Sequence, residues 1–479
     1  MASDRRRRLA LLCCLGAGFG TLFDSAVVTY TVPFLSSELG AETNAIQWFL
    51  AAYSLTFGIG LVPGGRLGDV YGRRGLFIGG LVVFIAGALA AGLAPTIWIV
   101  VLARVAQGFG AGLISAQVLA IIQDEFRGTA RVKALALYTM AGAAAAIVGP
   151  LAAAAALTWL PADIGWRAVL LLNIPVILAT AVLAFLVLAK PVLAPRRRVD
   201  VDVPGIAALA IIVLLVTLPV IDPGVTEAFL WVIVAGILVL GTGLVFWERR
   251  YAARGRVPLF VPALMRSRGF IGGNLVALLW FGAVVSQITV VTLFLLETRE
   301  PLVVALILVP ASLVRIVSSS WSSRLYSRFG ERIITVGLSA QALSTVALIA
   351  STLIVTGDAL LVLIVVIECW VGVMAGFVEP PLRAATLGFA PDGYRGVAAS
   401  FLQLAQRLSS VFCVALATGL VIGTASGIAT PEGLRNGLLL CALLLIVAAV
   451  IAGTVLAPAA RRLAAPSDLS HDAPPITTP

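Results

Sequence analysis

Gly65-Arg-Leu-Gly-Asp-Val-Tyr-Gly-Arg-Arg74 is a charged stretch between two long apolar runs. A related stretch, Ser323-Arg-Leu-Tyr-Ser-Arg-Phe-Gly-Glu-Arg332, lies 258 positions later and repeats its Arg-Leu, its Gly and its final Arg. Two copies of one charged turn in a strongly apolar chain predict two related halves, an organisation typical of membrane transporters. Charge beside hydrocarbon is costly, so the turn is expected to have a function at the membrane edge.

The composition of the chain excludes a soluble globular protein. Of 479 residues, 60% are hydrophobic and only 12% are charged, so too little polar surface is available to coat a water-soluble fold. The net charge of +10 does not indicate a nucleic-acid partner, because nearly all Lys and Arg lie in short segments between apolar runs. The sequence therefore predicts an all-α polytopic membrane protein whose apolar surface faces lipid.

Fourteen apolar segments are long enough to cross the hydrocarbon core, which needs about 20 residues in a helix. They lie near residues 9–35, 45–64, 76–95, 97–122, 134–158, 167–189, 204–221, 228–247, 269–296, 301–322, 333–355, 359–382, 396–422 and 435–457. Of the 33 Lys and Arg, 27 fall in segments on one side of these helices and 3 in segments on the other. By the positive-inside rule, both termini are predicted to be cytoplasmic.

The position of the repeated turn fixes the domain organisation. The first copy joins predicted helices 2 and 3 and the second joins helices 10 and 11, so two helices must separate the six-helix halves. We predict an N-terminal bundle over residues 1–190, two additional helices with basic connectors over 191–268 and a C-terminal bundle over 269–460. Residues 461–479, rich in Pro, Ser, Thr and Ala, are predicted to be a disordered cytoplasmic tail.

Several segments together resemble the signatures of one transporter family. The stretch Gly65-x-x-x-Asp69-x-x-Gly72-Arg73-Arg74 resembles the loop signature of the major facilitator superfamily. Two helices between six-helix halves resemble its fourteen-helix drug:proton antiporter branch. Further resemblances, in chain order, are Asp24–Pro33 in the first helix, Trp48 and Tyr53 in the second, Arg104–Gly112 in the fourth and Trp166–Pro175 at the sixth. The resemblance implies the major facilitator fold, in which two six-helix bundles rock around a midplane cavity.

Two departures from the family pattern affect what can be predicted about the direction of transport and about the cytoplasmic gate. The fifth-helix motif associated with antiporters retains Gly149-Pro150, but two alanines replace its final pair of glycines. Alanine still permits close helix approach, so a bend at Gly149 and Pro150 is expected, while the case for antiport is weaker than the case for the fold. In the second copy of the turn Ser327 replaces Asp69, so a charge relay is expected in the first half only.

The first copy of the turn has a mechanical interpretation. Asp69 can accept hydrogen bonds from the amides at the start of the next helix and pair with basic residues nearby. Such contacts would hold the cytoplasmic side shut while the cavity faces outward. The predicted cytoplasmic gate consists of Gly65, Asp69, Gly72, Arg73 and Arg74.

Six ionisable residues lie within predicted membrane helices: Asp24, Arg104, Arg315, Glu368, Glu379 and Arg407. A charge at the centre of a membrane helix costs about 3 kcal/mol on insertion scales, so each should face the bundle interior. Asp24 is the first candidate for proton and substrate coupling, because a membrane carboxyl can gain or lose its proton as the cavity alternates. The alternative is a structural acid bonded to a neighbouring helix. Arg104 can pair with Asp24 or hold a chain of water molecules. The resemblance implies a proton-relay role for it, and the alternative is a structural arginine that bridges backbone carbonyls.

The second half supplies the other ionisable candidates. Glu368 and Glu379 lie about three turns apart on one face of predicted helix 12. Glu368 is predicted to take part in proton coupling and to line the cavity, whereas Glu379 either lines the cavity or makes a gate or helix-end contact. Arg407 binds an anionic group of the cargo or neutralises Glu368, and Arg315 snorkels or locks the inner gate. These alternatives leave the charge of the cargo open.

The substrate cavity is predicted to combine intramembrane polar groups with aromatic walls. Membrane helices also carry aromatic residues for packing alone, so each ring has that alternative role. The predicted lining residues are Trp48, Tyr53, Gln107, Trp280, Glu368, Trp370, Gln403, Gln406 and Arg407, with Phe281 as a further aromatic candidate.

With the resemblance, these residues predict a proton-coupled secondary transporter that exports amphipathic or hydrophobic small molecules across the plasma membrane. A proton-coupled importer on the same fold is the nearest alternative, and an uncoupled scaffold or lipid-translocating protein is a more distant one. The sequence contains no evident nucleophile–base pair or metal cluster, so an enzyme is not expected. The expected partners are a small molecule, protons and lipid, with no nucleic acid, in a monomeric protein that uses a proton gradient and no cofactor.

Overall fold

The computed structural model describes residues 2–188, 202–221, 226–256, 262–391, 395–422 and 430–459. Every regular element in these ranges is helical. Thirteen helices are long and apolar enough to cross a membrane, and Val203–Val216 forms a shorter apolar helix. The predicted all-α membrane fold is therefore confirmed, whereas the count of fourteen spans, the cytoplasmic termini and the domain limits stay predictions. The predicted tail over 461–479 lies outside the described residues.

The first half contains two membrane-spanning units that are interrupted near the ends that the basic residues predict to be outer. Pro33 and Pro175 occupy the first turn of the helix that follows each interruption, a place where proline fits a helix. The sixth predicted helix is thus two helices with Asn173 between them. The helices are α1 (Ala2–Val27), α2 (Val32–Leu39) after a 3₁₀ turn, α3 (Thr43–Tyr71), α4 (Arg73–Gly92), α5 (Ile97–Glu125), α6 (Gly128–Trp159), α7 (Ala162–Leu171) and α8 (Ile174–Val187).

The second half follows two intervening helices and a short one. The intervening helices are α9 (Val203–Ile221) and α10 (Glu227–Ala253), and the short helix is α11 (Pro262–Met265). The second bundle consists of α12 (Arg268–Leu296), α13 (Pro301–Phe329), α14 (Arg332–Ile354), α15 (Asp358–Gly388), α16 (Arg395–Ile422) and α17 (Pro431–Ile451), which ends in a π turn.

The repeated charged stretch is mostly helical, not the loop that the sequence suggested. Helix α3 continues to Tyr71 and α13 to Phe329, because each stretch can stay helical until its shared glycine. Gly72 and Gly330 adopt positive φ angles of 90° and 59°, a region that side chains disfavour. Their amides donate to the carbonyls of Gly68 and Tyr326 at 3.1 and 2.8 Å. Both copies therefore end a helix in the same way, as two related halves require.

The second and fourth helices of each half pack with their backbones close together. In the first half, Gly108 and Gly112 of α5 lie directly against backbone atoms of α3. In the second half, Gly372 and Gly376 of α15 lie against the carbonyls of Ala311 and Arg315 on α13. Small residues permit this approach where helices associate in lipid.

The two halves share one hydrophobic core at one end of the molecule and have separate cores at the other. At the end that the basic residues predict to be outer, Phe49 and Val169 belong to the same buried cluster as Val291 and Val421. Towards the predicted inner end, one cluster is built from the first half alone and another from the second half alone. With the predicted orientation, this arrangement is inward-facing.

The two intervening helices have different environments. Helix α9 packs against both α3 and α16, so it covers the seam between the halves, with Val213 buried beside Leu55 and Val411. Helix α10 packs on α9 and exposes most of its apolar side chains, among them Trp231 and Phe246. This difference between α9 and α10 could not be predicted from the sequence, because both helices are similarly apolar.

Candidate functional site

A closed ionic cluster occupies the first half between α1, α5 and the break before α8. Arg104 donates through Nη1 to Oδ2 of Asp24 and to Oε1 of Gln107, the latter at 2.9 Å. Oδ1 of Asp24 accepts from Nε2 of Gln107 at 2.7 Å and from Nδ2 of Asn173 at 3.1 Å. The Asp24 and Arg104 side chains are each 1% exposed. A cation and two amides therefore hold this carboxylate.

Aromatic side chains of α3 cover the Arg104 cation. Its guanidinium carbon lies 4.3 Å from the ring centroid of Tyr53 and 5.8 Å from that of Phe49. The Tyr53 hydroxyl donates to the carbonyl of Thr21 on α1 at 2.9 Å. Tyr53, predicted to line a substrate cavity, is thus buried inside the first bundle, where it links α1, α3 and α5.

A polar cluster that combines a carboxyl, an amide and a hydroxyl occupies the second half between α12, α14 and α15. Nε2 of Gln287 donates to Oε1 of Glu368 at 2.8 Å. The side-chain oxygen Oε1 of Gln287 accepts from the Thr345 hydroxyl, also at 2.8 Å. Glu368 is 2% exposed. Among the contacts of the described residues, none pairs this carboxyl with a basic side chain. An amide alone therefore holds the second carboxyl.

A narrow cleft extends from Glu368 between α12, α13 and α15. Its walls include Gln287, Ser312 and Arg315, and its space of about 30 Å³ accommodates water but not cargo. Beyond it, Arg315 donates to Oε2 of Glu379 at 2.6 Å, and Arg383 lies 3.6 Å from the other oxygen. The Arg315 and Glu379 side chains are 31% and 29% exposed. The cleft thus connects the buried carboxyl to a partly exposed ion pair.

Arg407 lies on α16 at the seam between the halves. Its guanidinium carbon is 3.8 Å from the centroid of the Phe57 ring on α3. No ion pair or hydrogen bond of the described residues joins Arg407 to Glu368, whose described partner is Gln287. Gln403 is partly buried one turn before Arg407, and Gln406 is buried beside it.

The predicted tryptophan walls have three different environments. Trp48 is partly buried and packs against the core that both halves share. Trp280 is fully buried in the second bundle, where its Nε1 donates to Gln341 at 2.8 Å, and its neighbour Phe281 is partly buried. Trp370 is 51% exposed. Two positions along a helix rotate a side chain by about 200°, so Trp370 lies nearly opposite Glu368 on α15, and its place in the cavity wall stays a prediction.

In the part of the chain that the structure describes, the basic residues of the predicted gate have contacts with other helices of the first bundle. Arg73 pairs with Asp124 on α5 at 2.8 Å. Arg74 donates to the Phe185 carbonyl on α8 at 2.6 Å and lies 5.1 Å from that ring's centroid. Gly65 lies within α3, and the side chain of Asp69 lies outside the part that the structure describes. These contacts are compatible with separated inner ends, and the gate itself stays a prediction.

The predicted bend in the fifth helix lies in a continuous helix. Gly149 and Pro150 fall inside α6, and Gly149 lies against Ala26 of α1. Ala153 and Ala154, which replace the family's glycines, are fully buried. Alanine therefore suffices for this packing.

Sequence analysis missed three polar partners of the buried carboxyls. Asn173 was quoted in a motif but not assigned to Asp24, while Gln287 and Thr345 were not singled out. Polar residues in apolar helices are a signal for such partners, because an amide in lipid needs a hydrogen bond. The signal does not reveal which residue each one contacts.

Comparison with known proteins gives one family. A sequence profile described as Major Facilitator Superfamily matches residues 14–413. The Cephamycin export protein CmcT of Amycolatopsis lactamdurans is 34% identical, over 56% of this chain and 55% of its own length. The Probable actinorhodin transporter of Streptomyces coelicolor is 31% identical, over 72% of this chain and 60% of its own length. The chain thus spans little more than half the length of these two relatives.

Another relative matches over a larger share of its length. The Puromycin resistance protein pur8 of Streptomyces alboniger is 28% identical, over 90% of this chain and 85% of its own length. Among solved structures, a POT family transporter in complex with 5-aminolevulinic acid has a TM-score of 0.69 at 16% identity and covers 95% of this chain and 96% of its own. A D-xylose-proton symporter has a TM-score of 0.66 at 15% identity, with 93% and 97% covered. At these identities the structures show the fold alone.

Proposed function

The chain belongs to the Major Facilitator Superfamily, and on that basis we propose that it is a proton-coupled secondary transporter that exports amphipathic small molecules across the plasma membrane. Export is supported by relatives named for cephamycin export and puromycin resistance. Transport would proceed by alternating access, with the inward-facing arrangement as the state that takes up cargo. The protein is expected to act as a monomer.

The observation that carries the proposal is the environment of Glu368. Its carboxyl is buried, accepts a hydrogen bond from an uncharged amide and borders a cleft that accommodates water. A carboxyl held in this way can gain or lose a proton without breaking an ion pair. Protonation would remove its charge from the membrane interior, and deprotonation would restore a charge that cargo or water can stabilise.

The cleft supplies a route for that proton. Its wall includes Arg315, whose partner Glu379 is partly exposed in the inner half of α15. With the predicted orientation, a proton released from Glu368 would pass along this cleft to the cytoplasmic side. Inward release of a proton and outward movement of cargo are the two halves of an antiport cycle.

The ionic cluster around Asp24 suits a different role. Protonating Asp24 would leave the buried Arg104 without its counter-ion, and an isolated buried charge is strongly unfavourable. We therefore place the exchanging proton at Glu368 and assign Asp24, Arg104 and Gln107 to holding α1 and α5 together. The alternative version of the proposal retains Asp24 as the coupling acid.

Transport by purified protein in liposomes tests the function. Protein is reconstituted with a pH-sensitive dye inside, a pH gradient is imposed, and compounds such as puromycin and a cephamycin are added in turn. Proton movement that a compound triggers, and that Glu368→Gln abolishes, is the expected result. The matched control is Glu38→Gln, the same chemical change at an exposed site on α2. Compound uptake without proton movement would contradict coupling, and reversing the gradient tests export against import.

A further inference from the structure

The ionisable side chains inside the membrane-spanning helices are nearly all matched by partners. Arg104 pairs with Asp24, Arg315 with Glu379, and Glu368 with an amide. Arg407 differs, because its described contact is with an aromatic ring and no described carboxylate pairs with its guanidinium. A cation–π contact contributes about 0.5–2 kcal/mol, less than the cost of a charge at mid-membrane, which is about 3 kcal/mol on insertion scales.

The position of Arg407 places this cation between the two bundles. It lies near the middle of α16, which packs against α3 of the other half. The ring of Phe57 on α3, in the first half, lies beneath it. Since the halves have separate cores towards the predicted inner end, a molecule that enters from that side would meet this residue.

No hydrogen bond or ion pair of the described residues uses the guanidinium donors of Arg407. Its guanidinium carbon lies over the face of the Phe57 ring, 3.8 Å from the centroid. The N–H donors of a guanidinium lie in its own plane, where a carboxylate or phosphate can accept two parallel hydrogen bonds. Gln403, one helical turn before Arg407 and partly buried, offers a neutral amide on the same side of α16.

Helix α9 covers the lipid side of this seam. It packs against both α3 and α16, and only a small gap of about 10 Å³ remains beside Ile206, Leu209 and Leu404. On the side that α9 covers, a helix therefore separates Arg407 from lipid. The environment combines a cation, a neutral amide and an aromatic ring, so it suits an acid with an aromatic or apolar body.

We propose that Arg407 is the anion subsite of the cargo site, and that the transporter prefers amphipathic molecules carrying a carboxylate or similar acidic group. This inference rests on the proposed transport function and names its substrate class. The acid would stack its apolar body near Phe57 and place its oxygens on the guanidinium edge. Glu368, bonded elsewhere, is left free to exchange its proton.

Equilibrium binding to protein in phosphatidylcholine nanodiscs tests the subsite without any gradient. The probes are dansyl-phenylalanine and its methyl ester, which differ only in the acidic group. Wild type is expected to bind the acid at least about 10-fold more tightly than the ester, the scale of charge-assisted hydrogen bonds. Arg407→Gln should remove that preference and leave ester binding intact, and Arg407→Lys should retain part of it. Ester binding also reports that each variant is folded.

A control variant tests whether any effect is specific to Arg407. Arg299→Gln removes a cation from an exposed ion pair with Asp358 and should leave the preference unchanged. Equal binding of acid and ester by wild type, absence of acid binding, or an unchanged preference in Arg407→Gln would overturn the inference. Added phosphatidylglycerol could also compete with dansyl-phenylalanine for binding. If that competition required Arg407, the anion at this subsite would be a lipid phosphate, and the proposal of a small-molecule acid would be overturned.

This assay separates the subsite from the transport proposal. Proton-coupled movement of a neutral compound, without any acid preference, would leave the transporter proposal standing and remove the anion subsite. Acid binding that depends on Arg407, without proton movement by any compound, would support the anion subsite and contradict proton-coupled transport.

Discussion

The two bundles use the same pair of helices, the first and the fourth, to hold a buried carboxyl, but the carboxyl is on the opposite helix of the pair and has a different partner. In the first half, the acid Asp24 lies on the first helix and the cation Arg104 on the fourth. In the second half, the amide Gln287 lies on the first helix and the acid Glu368 on the fourth. The same arrangement of helices therefore holds a carboxylate with a cation in the first bundle and a carboxyl with an amide in the second.

The difference separates a structural task from a chemical one. An ion pair with no exposure opposes any change of charge, because losing either partner leaves the other uncompensated. An amide accepts both states of a carboxyl, since it has a donor for the ionised form and an acceptor for the protonated one. The first bundle is thus expected to be rigid, and the second to respond to protons.

The largest effect should come from breaking the ion pair. Asp24→Asn leaves the buried Arg104 without a counter-ion and should cost about 3–5 kcal/mol of unfolding free energy. Thermal unfolding in detergent measures the loss. Adding Arg104→Gln to Asp24→Asn should recover most of it, because the remaining cluster is neutral. A variant as stable as wild type would show that the pair is not structural.

Glu368→Gln should leave stability nearly unchanged and remove coupling. The new amide can still bond with Gln287, but it cannot carry a proton. Gradient-driven transport is expected to fall roughly 100-fold, the scale on which loss of a proton-transfer group acts. Flux of labelled compound with and without a pH gradient measures this. A melting temperature lowered as far as in Asp24→Asn would erase the distinction between the bundles.

A smaller effect is expected at the partly exposed pair beyond the cleft. Arg315→Gln removes a partner of Glu379, and both side chains are about one-third exposed. Because solvent screens such a pair, the loss of stability should stay near 1 kcal/mol, with transport slowed a few-fold. Transport rates across a range of internal pH check the result. Full loss of transport would indicate that Glu379, and not Glu368, couples proton movement to transport.

The last expected effect concerns stability alone and should be shared equally by the two halves. Gly72→Ala and Gly330→Ala each force a side chain into positive φ and should cost about 1–2 kcal/mol or less. Gly75→Ala, in open space within the first turn of α4, is the matched control and should be neutral or slightly stabilising. Unequal effects at 72 and 330, measured by thermal unfolding, would show that the repeated turn no longer has the same role in both halves.

Much of the fold could be predicted from the sequence, because long apolar runs and basic connectors are local signals. Helices such as α4 and α14 lie within a few residues of their predicted limits. The interruption before α8 was not predicted, although Pro175 marks its place. The charged stretch was taken for a loop, because composition cannot show that a helix extends beyond the apolar core.

The site was harder to predict, because its contacts join residues far apart in sequence. Pairing of Asp24 with Arg104 was foreseen as one option, since a buried cation needs an anion. The bond from Gln287 to Glu368 spans 81 positions, and nothing local indicates it. Trp370 was assigned to the cavity for its ring alone, whereas helical rotation relative to Glu368 places it on another face. Assigning a face requires knowing which neighbours surround the helix.

Proton release on cargo binding tests the central claim most directly. Purified protein in weakly buffered detergent is mixed with a compound that it transports, and a pH indicator records protons released per molecule. The account predicts release from wild type and from the Asp24→Asn, Arg104→Gln double variant, and none from Glu368→Gln. Release that persists in Glu368→Gln and disappears in the double variant would place the exchanging proton in the first bundle and contradict the account.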